Sequence, residues 1–278
     1  MKKHFLLLNL FFFLAICITS CSSDDNFNEE NTISSDKLLP VSILGDNGDK
    51  ILYTYNDKNQ ITEIRQEEQH KDYIWLHLRM ITYDEQGKPI QVKIAEEEPD
   101  TPLVDYIWYK YNFTYEGDSI VNIIDADTNI LRYKYTINNN LLVKEDEISN
   151  GKVNRTTEFK YDQNFNIISE VTSFAGKISS RYDFQYDYNQ RSILRNVSTP
   201  EWLLSFVNEN FAKNNQLIST LEEDYFETSN TQSPNYVQMD TYTWDSYIDS
   251  FPTYVKTERE INGNPFVSNS TITYTKAK

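Results

Sequence analysis

YTYNDKNQITEI, starting at Tyr53, and ITYDEQGKPIQV, starting at Ile81, share one pattern: an aromatic or apolar residue, a spacer, a tyrosine, a turn-forming polar stretch and an apolar return. The pattern recurs as FTYEGDSIVNI at Phe113, YKYTINNNLLVKE at Tyr133, FKYDQNFNIISEV at Phe159, FQYDYNQRSILRNV at Phe184 and YTWDSYIDSFPTYV at Tyr242, and a partial copy ends at Tyr274. The second aromatics, Tyr55, Tyr83, Tyr115, Tyr135, Tyr161, Tyr186 and Trp244, are spaced by 28, 32, 20, 26, 25 and 58 residues. Residues two apart on a strand share a face, so each aromatic pair can be buried together on one side of a sheet. The Asp, Asn or Glu that follows suits an Asx turn, and a nearby Asn or Gly tolerates the left-handed backbone of a tight hairpin. Each unit therefore reads as one hairpin plus its connection to the next. The expected fold is all-β: an antiparallel hairpin array forming a curved or rolled sheet over residues 39–278.

One segment breaks the rhythm. Across 199–211, Thr199 is placed to cap a helix, Pro200 suits its first position, and Trp202, Leu203, Phe206, Val207 and Phe211 form one apolar stripe at helical spacing. A short helix is expected there, plugging one face or one end of the sheet.

The tyrosine-acid units are similar to YD repeats (RHS-type), and with the amino terminus they resemble YD-repeat-like lipoproteins of Bacteroidota-type bacteria. The resemblance spans roughly residues 50–276, and Tyr135-Thr136 departs from it by lacking the acid. It implies the hairpin architecture and no activity.

The amino terminus, MKKHFLLLNLFFFLAICITSC, has two lysines, an apolar run of about 14 residues and small polar residues before Cys21. That run is short of the roughly 20 residues a spanning helix needs, so 1–20 reads as a signal peptide. Ile18-Thr19-Ser20-Cys21 resembles a lipobox, which implies a lipidated Cys21 as the membrane partner. The acidic stretch that follows, within a tether at 21–38, resembles a surface-export signal. The expected location is the outer membrane, lipid-anchored, at the cell surface, with the periplasmic face as the alternative.

Past Cys21 the chain has no cysteine, so disulfides and thiolate metal sites are unavailable to it. Removing residues 1–20 takes away Lys2 and Lys3 and moves the net charge from −16 to −18, which disfavours nucleic acid as a partner. There is no glycine-rich phosphate loop, no G-x-S-x-G and no H-E-x-x-H. His70 and His77 are spaced to point to opposite faces of a regular strand, and Asp57, Asp84, Glu116, Asp162, Asp187 and Asp245 are assigned to turns, so no metal, cofactor or catalytic residue is expected. Trp75, Trp108 and Trp244 are the candidates for stacking on a ligand. The functional expectation is a non-enzymatic binding or scaffold module with a glycan or protein partner. The alternatives are a glycan-binding accessory protein of a polysaccharide-uptake system and, ranked last, a hydrolase using paired carboxylates.

Overall fold

The computed structural model describes residues 37–97, 107–207, 212–223, 226–228, 231–233 and 236–278. The expected signal peptide at 1–20, Cys21 and the expected tether as far as residue 36 lie outside the described residues. The first strands are β1 (Leu38–Gly45), β2 (Lys50–Tyr55), β3 (Ile61–Gln69), β4 (Ile74–Tyr83), β5 (Pro89–Glu97), β6 (Tyr109–Glu116), β7 (Ile120–Asp125), β8 (Leu131–Asn138) and β9 (Leu141–Ser149). They continue with β10 (Lys152–Tyr161), β11 (Ile167–Phe174), β12 (Lys177–Arg191), a helix α1 (Glu201–Phe206), β13 (Asn214–Glu223), β16 (Tyr236–Ile248), β17 (Phe251–Ile261) and β18 (Asn264–Lys276). A separate two-stranded ribbon, β14 (Phe226–Thr228) with β15 (Thr231–Ser233), interrupts the meander between β13 and β16.

The main sheet is antiparallel throughout and closes into a 16-stranded barrel, because β1 pairs along β18 from Leu38↔Lys276 to Gly45↔Ser270. This corrects the expectation of a curved or rolled sheet. Joining the first and last strands satisfies two rows of backbone groups that an open sheet would leave unpaired.

The local reason for the hairpins is the polar residue after each repeat tyrosine. Asp162 Oδ1 accepts the backbone N–H of Asn164 and Asn166 at 2.8 and 2.9 Å, and Asp84 Oδ1 accepts that of Lys88 at 2.8 Å. In the first unit this work falls to Asn56, whose Oδ1 takes Lys58 and Gln60, and not to Asp57, which pairs with Lys278. The left-handed position of these turns is held by Asn59, Gly87 and, against expectation for a bulky residue, Phe165 at φ 64°.

Since the strands meander, one rim carries the start of β1, the end of β18 and the turns that follow the repeat aromatics. It also carries the connection after β12, whose described stretch 192–207 contains α1. The sequence-expected helix is found, but it spans only Glu201–Phe206, and Phe211 lies outside the described residues. Thr199 does not cap it: the residue before the helix is Pro200, and Thr199 Oγ1 instead accepts the Ile61 N–H of β3 at 2.8 Å. The helix is a plug inside the barrel, where Trp202, Leu203, Leu204 and Val207 are buried among Phe113, Tyr135, Ile64 and Val92 of the wall. Trp202 meets Phe113 edge-on with centroids 5.0 Å apart, and Phe206 meets Tyr111 in the same way at 5.4 Å.

The alternation of each strand sends the other parity outward, and that outer wall is charged. Lys50 pairs with Glu67 at 3.5 Å, Arg65 with Glu67 at 2.8 Å, Lys144 with Asp146 at 2.8 Å and Lys256 with Glu258 at 2.8 Å. A lipid-facing barrel carries an apolar band, and a lysine or arginine at its midplane costs about 2–4 kcal/mol. The same wall also exposes Leu44, Leu52, Met80, Val237 and Met239, so ion pairs and apolar side chains are interspersed on it.

Candidate functional site

The repeat aromatics face inward beneath the plugged rim and share a use that sequence reading did not reveal. All but Tyr135 tie their strand to the first residues of the preceding strand in the barrel. The Tyr55 hydroxyl donates to Pro40 O at 2.7 Å, Tyr83 to Ile61 O at 2.8 Å, Tyr115 to Pro89 O at 2.6 Å and Tyr161 to Leu142 O at 2.7 Å. Tyr186 donates to Ile167 O at 2.7 Å, Tyr274 to Pro252 O at 2.6 Å, and the Trp244 indole N–H to Gln216 O at 2.6 Å. Tyr135, the copy without an acid, is fully buried and hydrogen-bonds Glu145 instead. The tyrosines are thus rivets between successive hairpins, and burial raises the pKa of Tyr83, to about 12, and of Tyr115, Tyr161, Tyr186 and Tyr274.

The plug fills the lumen next to β6 and β8. Beside β9–β13, β16 and β17 it leaves a cavity of about 510 Å³, within the range of small-molecule sites. Phe159, Tyr182, Phe184 and Tyr186 form its aromatic side, with Tyr182 and Phe184 stacked at an interplanar angle of 4°. Facing them are Ser219, Gln238, Asp240, Tyr242 and Arg259. Arg259 grips Asp240 through two bonds of 2.9 Å, and its own side chain stays 47% exposed, so the cavity opens to water away from the plug. A second cavity, of about 470 Å³, shares Arg259 and reaches Gln66 and Glu68.

The wall of the first cavity carries more carboxyls than guanidinium groups. Arg259 is matched by Asp240 and Arg155 by Glu147 at 3.0 Å, which leaves the carboxyls of Glu145, Glu170 and Glu201 on the cavity wall. Burial raises all three: Glu170 to about 7, with the Glu145 charge adding to it, and Glu201 to about 7, with Tyr161 and Lys213 opposing. Glu170 has no hydrogen-bond partner among the described residues, and the buried Gln216 Nε2 on the same wall has none either. Such a site holds acceptors, a free amide donor and ring faces, and near neutrality its carboxyls can also donate.

The three tryptophans are not brought together. Trp244 is the rivet on β16 and stacks on Tyr242 at 6.2 Å. Trp75 on β4 stacks on His77 at 5.9 Å, its buried indole nitrogen without a partner, and Trp108 stands half-buried just before β6. None lines the two lumen cavities. Sequence reading missed Glu145, Glu170, Asp240 and Arg259, although one signal was present: Arg155-x-Thr157-x-Phe159 and Asp240-x-Tyr242-x-Trp244 place polar residues on the parity of the repeat aromatics.

No family model matches the chain, and no curated protein matches it. Among solved structures it is similar to a porin-like protein from Bacteroides uniformis ATCC 8492, with 14% identity over 77% of this chain and 96% of that one and a TM-score of 0.44. At that distance it assigns no role to any residue here.

Proposed function

We propose that this protein is a lipid-anchored, water-exposed β-barrel of the outer membrane's surface that receives a small polar ligand, rich in hydroxyl or amine groups, in its lumen. The observation that carries the reading is the cavity of about 510 Å³, in which the partnerless Glu170 carboxyl and Gln216 amide face an aromatic wall. The buried Gln216 amide without a partner costs free energy in the empty protein, and a ligand acceptor that pairs with it recovers that cost, while the Glu170 oxygens stay open to the cavity. The ion pairs on the outer wall support a barrel standing in water, so attachment rests on Cys21. Cys21→Ala is expected to abolish lipid labelling and membrane retention.

The test is calorimetric titration of the intact lipoprotein in detergent with neutral disaccharides, amino sugars and short aliphatic diamines. Saturable binding by one class, lost in Glu170→Ala and weakened in Gln216→Ala while the barrel stays folded, is the expected result. If no class binds, or if binding survives both changes and disappears in Trp75→Ala or Trp108→Ala, the lumen is not the site. A hydrolase remains as a second reading because Glu145 and Glu170 are neighbouring lumen carboxyls of raised pKa, as a general acid requires. Turnover of a bound glycoside that Glu170→Gln abolishes would establish it, and binding without turnover would remove it.

A further inference from the structure

We infer that Glu201 is a protonic latch on the plug: its carboxyl lends a proton to Tyr161 and so keeps closed the partition between the lumen and a second cavity at the plugged rim. The inference rests on the lumen reading above and adds its regulation. The rim cavity, about 660 Å³, is bounded by the hairpin turns and by the plug residues Val197–Trp202, and Glu201 lines both it and the lumen cavity.

The proton count comes from geometry. Tyr161 Oη is 2.7 Å from Leu142 O and 2.6 Å from Glu201 Oε1, yet a phenol has a single proton. A carbonyl can only accept, and every other rivet tyrosine on this rim except Tyr135 gives its proton to a strand carbonyl in the same way. Both contacts can hold a proton at once only if the second proton comes from a neutral Glu201; an ionised Glu201 would have to take the phenol proton away from Leu142 O. Tyr83 shows the same arrangement with an untitratable partner: its hydroxyl lies 2.8 Å from Ile61 O and 3.2 Å from Thr199 Oγ1, two residues before Glu201 on the plug. Thr199 ties the plug to β4 at any pH, whereas the chain of contacts from Glu201 through Tyr161 to Leu142, which ties the plug to β10 and β10 to β9 together, is complete only while Glu201 is protonated.

The surroundings agree. Glu201 is 8% exposed. The titratable groups facing it are Tyr161 on β10, Glu170 on β11, Tyr186 on β12 and Lys213 after the plug, with Lys88 and Asp118 across the rim cavity. Burial raises the pKa of the carboxyl to about 7 against the opposing Tyr161 hydroxyl and Lys213 charge. Above that, one of the two contacts lacks a proton: Tyr161 either keeps Leu142 O and faces the carboxylate with a lone pair, or turns to the carboxylate and gives up the rivet that holds β9, and the joint between plug and wall is weakened in both cases.

Hydrogen exchange followed by mass spectrometry on the intact lipoprotein, on both sides of neutrality and corrected for the intrinsic pH dependence of exchange, tests this without any ligand. Peptides within 196–207 are expected to lose about tenfold in protection on the alkaline side while those of β3 and β4 keep theirs. Glu201→Gln, whose amide donates to Tyr161 at any pH, is expected to flatten the profile. Should Glu201→Gln not fold, Tyr161→Phe retains the ring and is expected to leave the plug equally loosened on both sides. Plug protection independent of pH in the unaltered protein, or an alkaline loss that persists in the variant, overturns the latch. A lumen that binds none of the titrated ligands leaves this result untouched, so the two readings fail separately.

Discussion

Tyr83→Phe removes one oxygen atom and leaves the ring, which isolates the rivet from the packing. The lost hydroxyl bonds Ile61 O at 2.8 Å and Thr199 Oγ1 at 3.2 Å, and Thr199 in turn accepts the Ile61 N–H at 2.8 Å, so wall and plug meet at one point. A typical hydrogen bond contributes about 1 kcal/mol net, and a buried acceptor left unpaired costs about 1–3 kcal/mol. The expected loss is therefore about 2–3 kcal/mol for Tyr83→Phe and about 1–2 kcal/mol for Tyr115→Phe, which gives up only its bond to Pro89 O. Tyr109→Phe, at a site 57% exposed, is the control and should change little. Guanidinium unfolding reads the series directly, since a shift in midpoint at constant slope reports stability. If Tyr83→Phe and Tyr115→Phe are as harmless as Tyr109→Phe, the repeat tyrosines act through their rings alone and the rivet idea fails.

Trp202→Ala should destabilise by about 3–5 kcal/mol, because its ring is buried against Phe113, Tyr115 and Tyr135, and the loss is checked in the same titration. Glu170 keeps a proton in the folded barrel up to about pH 7 that the unfolded chain releases in the ordinary carboxylate range. Its contribution to stability therefore falls as pH rises through that window and is lost above it, and Glu170→Gln should flatten this part of a melting-temperature profile. Phe165→Gly should stabilise by about 0.5–1 kcal/mol, since φ is 64° there and a glycine accepts it without strain; a lower melting temperature would mean that the ring on the rim cavity matters more than the backbone.

What the sequence determined by itself is what short stretches decide. The hairpins were legible because an Asx turn needs only the side chain of Asn56, Asp84 or Asp162 and the N–H groups within four residues of it. The inward aromatic face was legible because alternation is a local property, and the helix because its apolar stripe spans two turns. Closure was not legible, since a hairpin array has the same local pattern whether its ends meet or stay apart, and the seam joins Leu38 to Lys276 across the whole domain. Thr199 illustrates the limit: a hydroxyl ahead of an apolar stripe reads as a cap until the fold presents a better-placed donor, the Ile61 N–H. Trp244 reads as a stacking residue until the register sets Gln216 O beside its indole. The lumen itself belongs to the tertiary structure alone. Asp240 and Arg259 are 19 residues apart and become a pair only through the β16–β17 register, while Glu145, Glu170 and Glu201 come to share a cavity only when the wall closes around the plug.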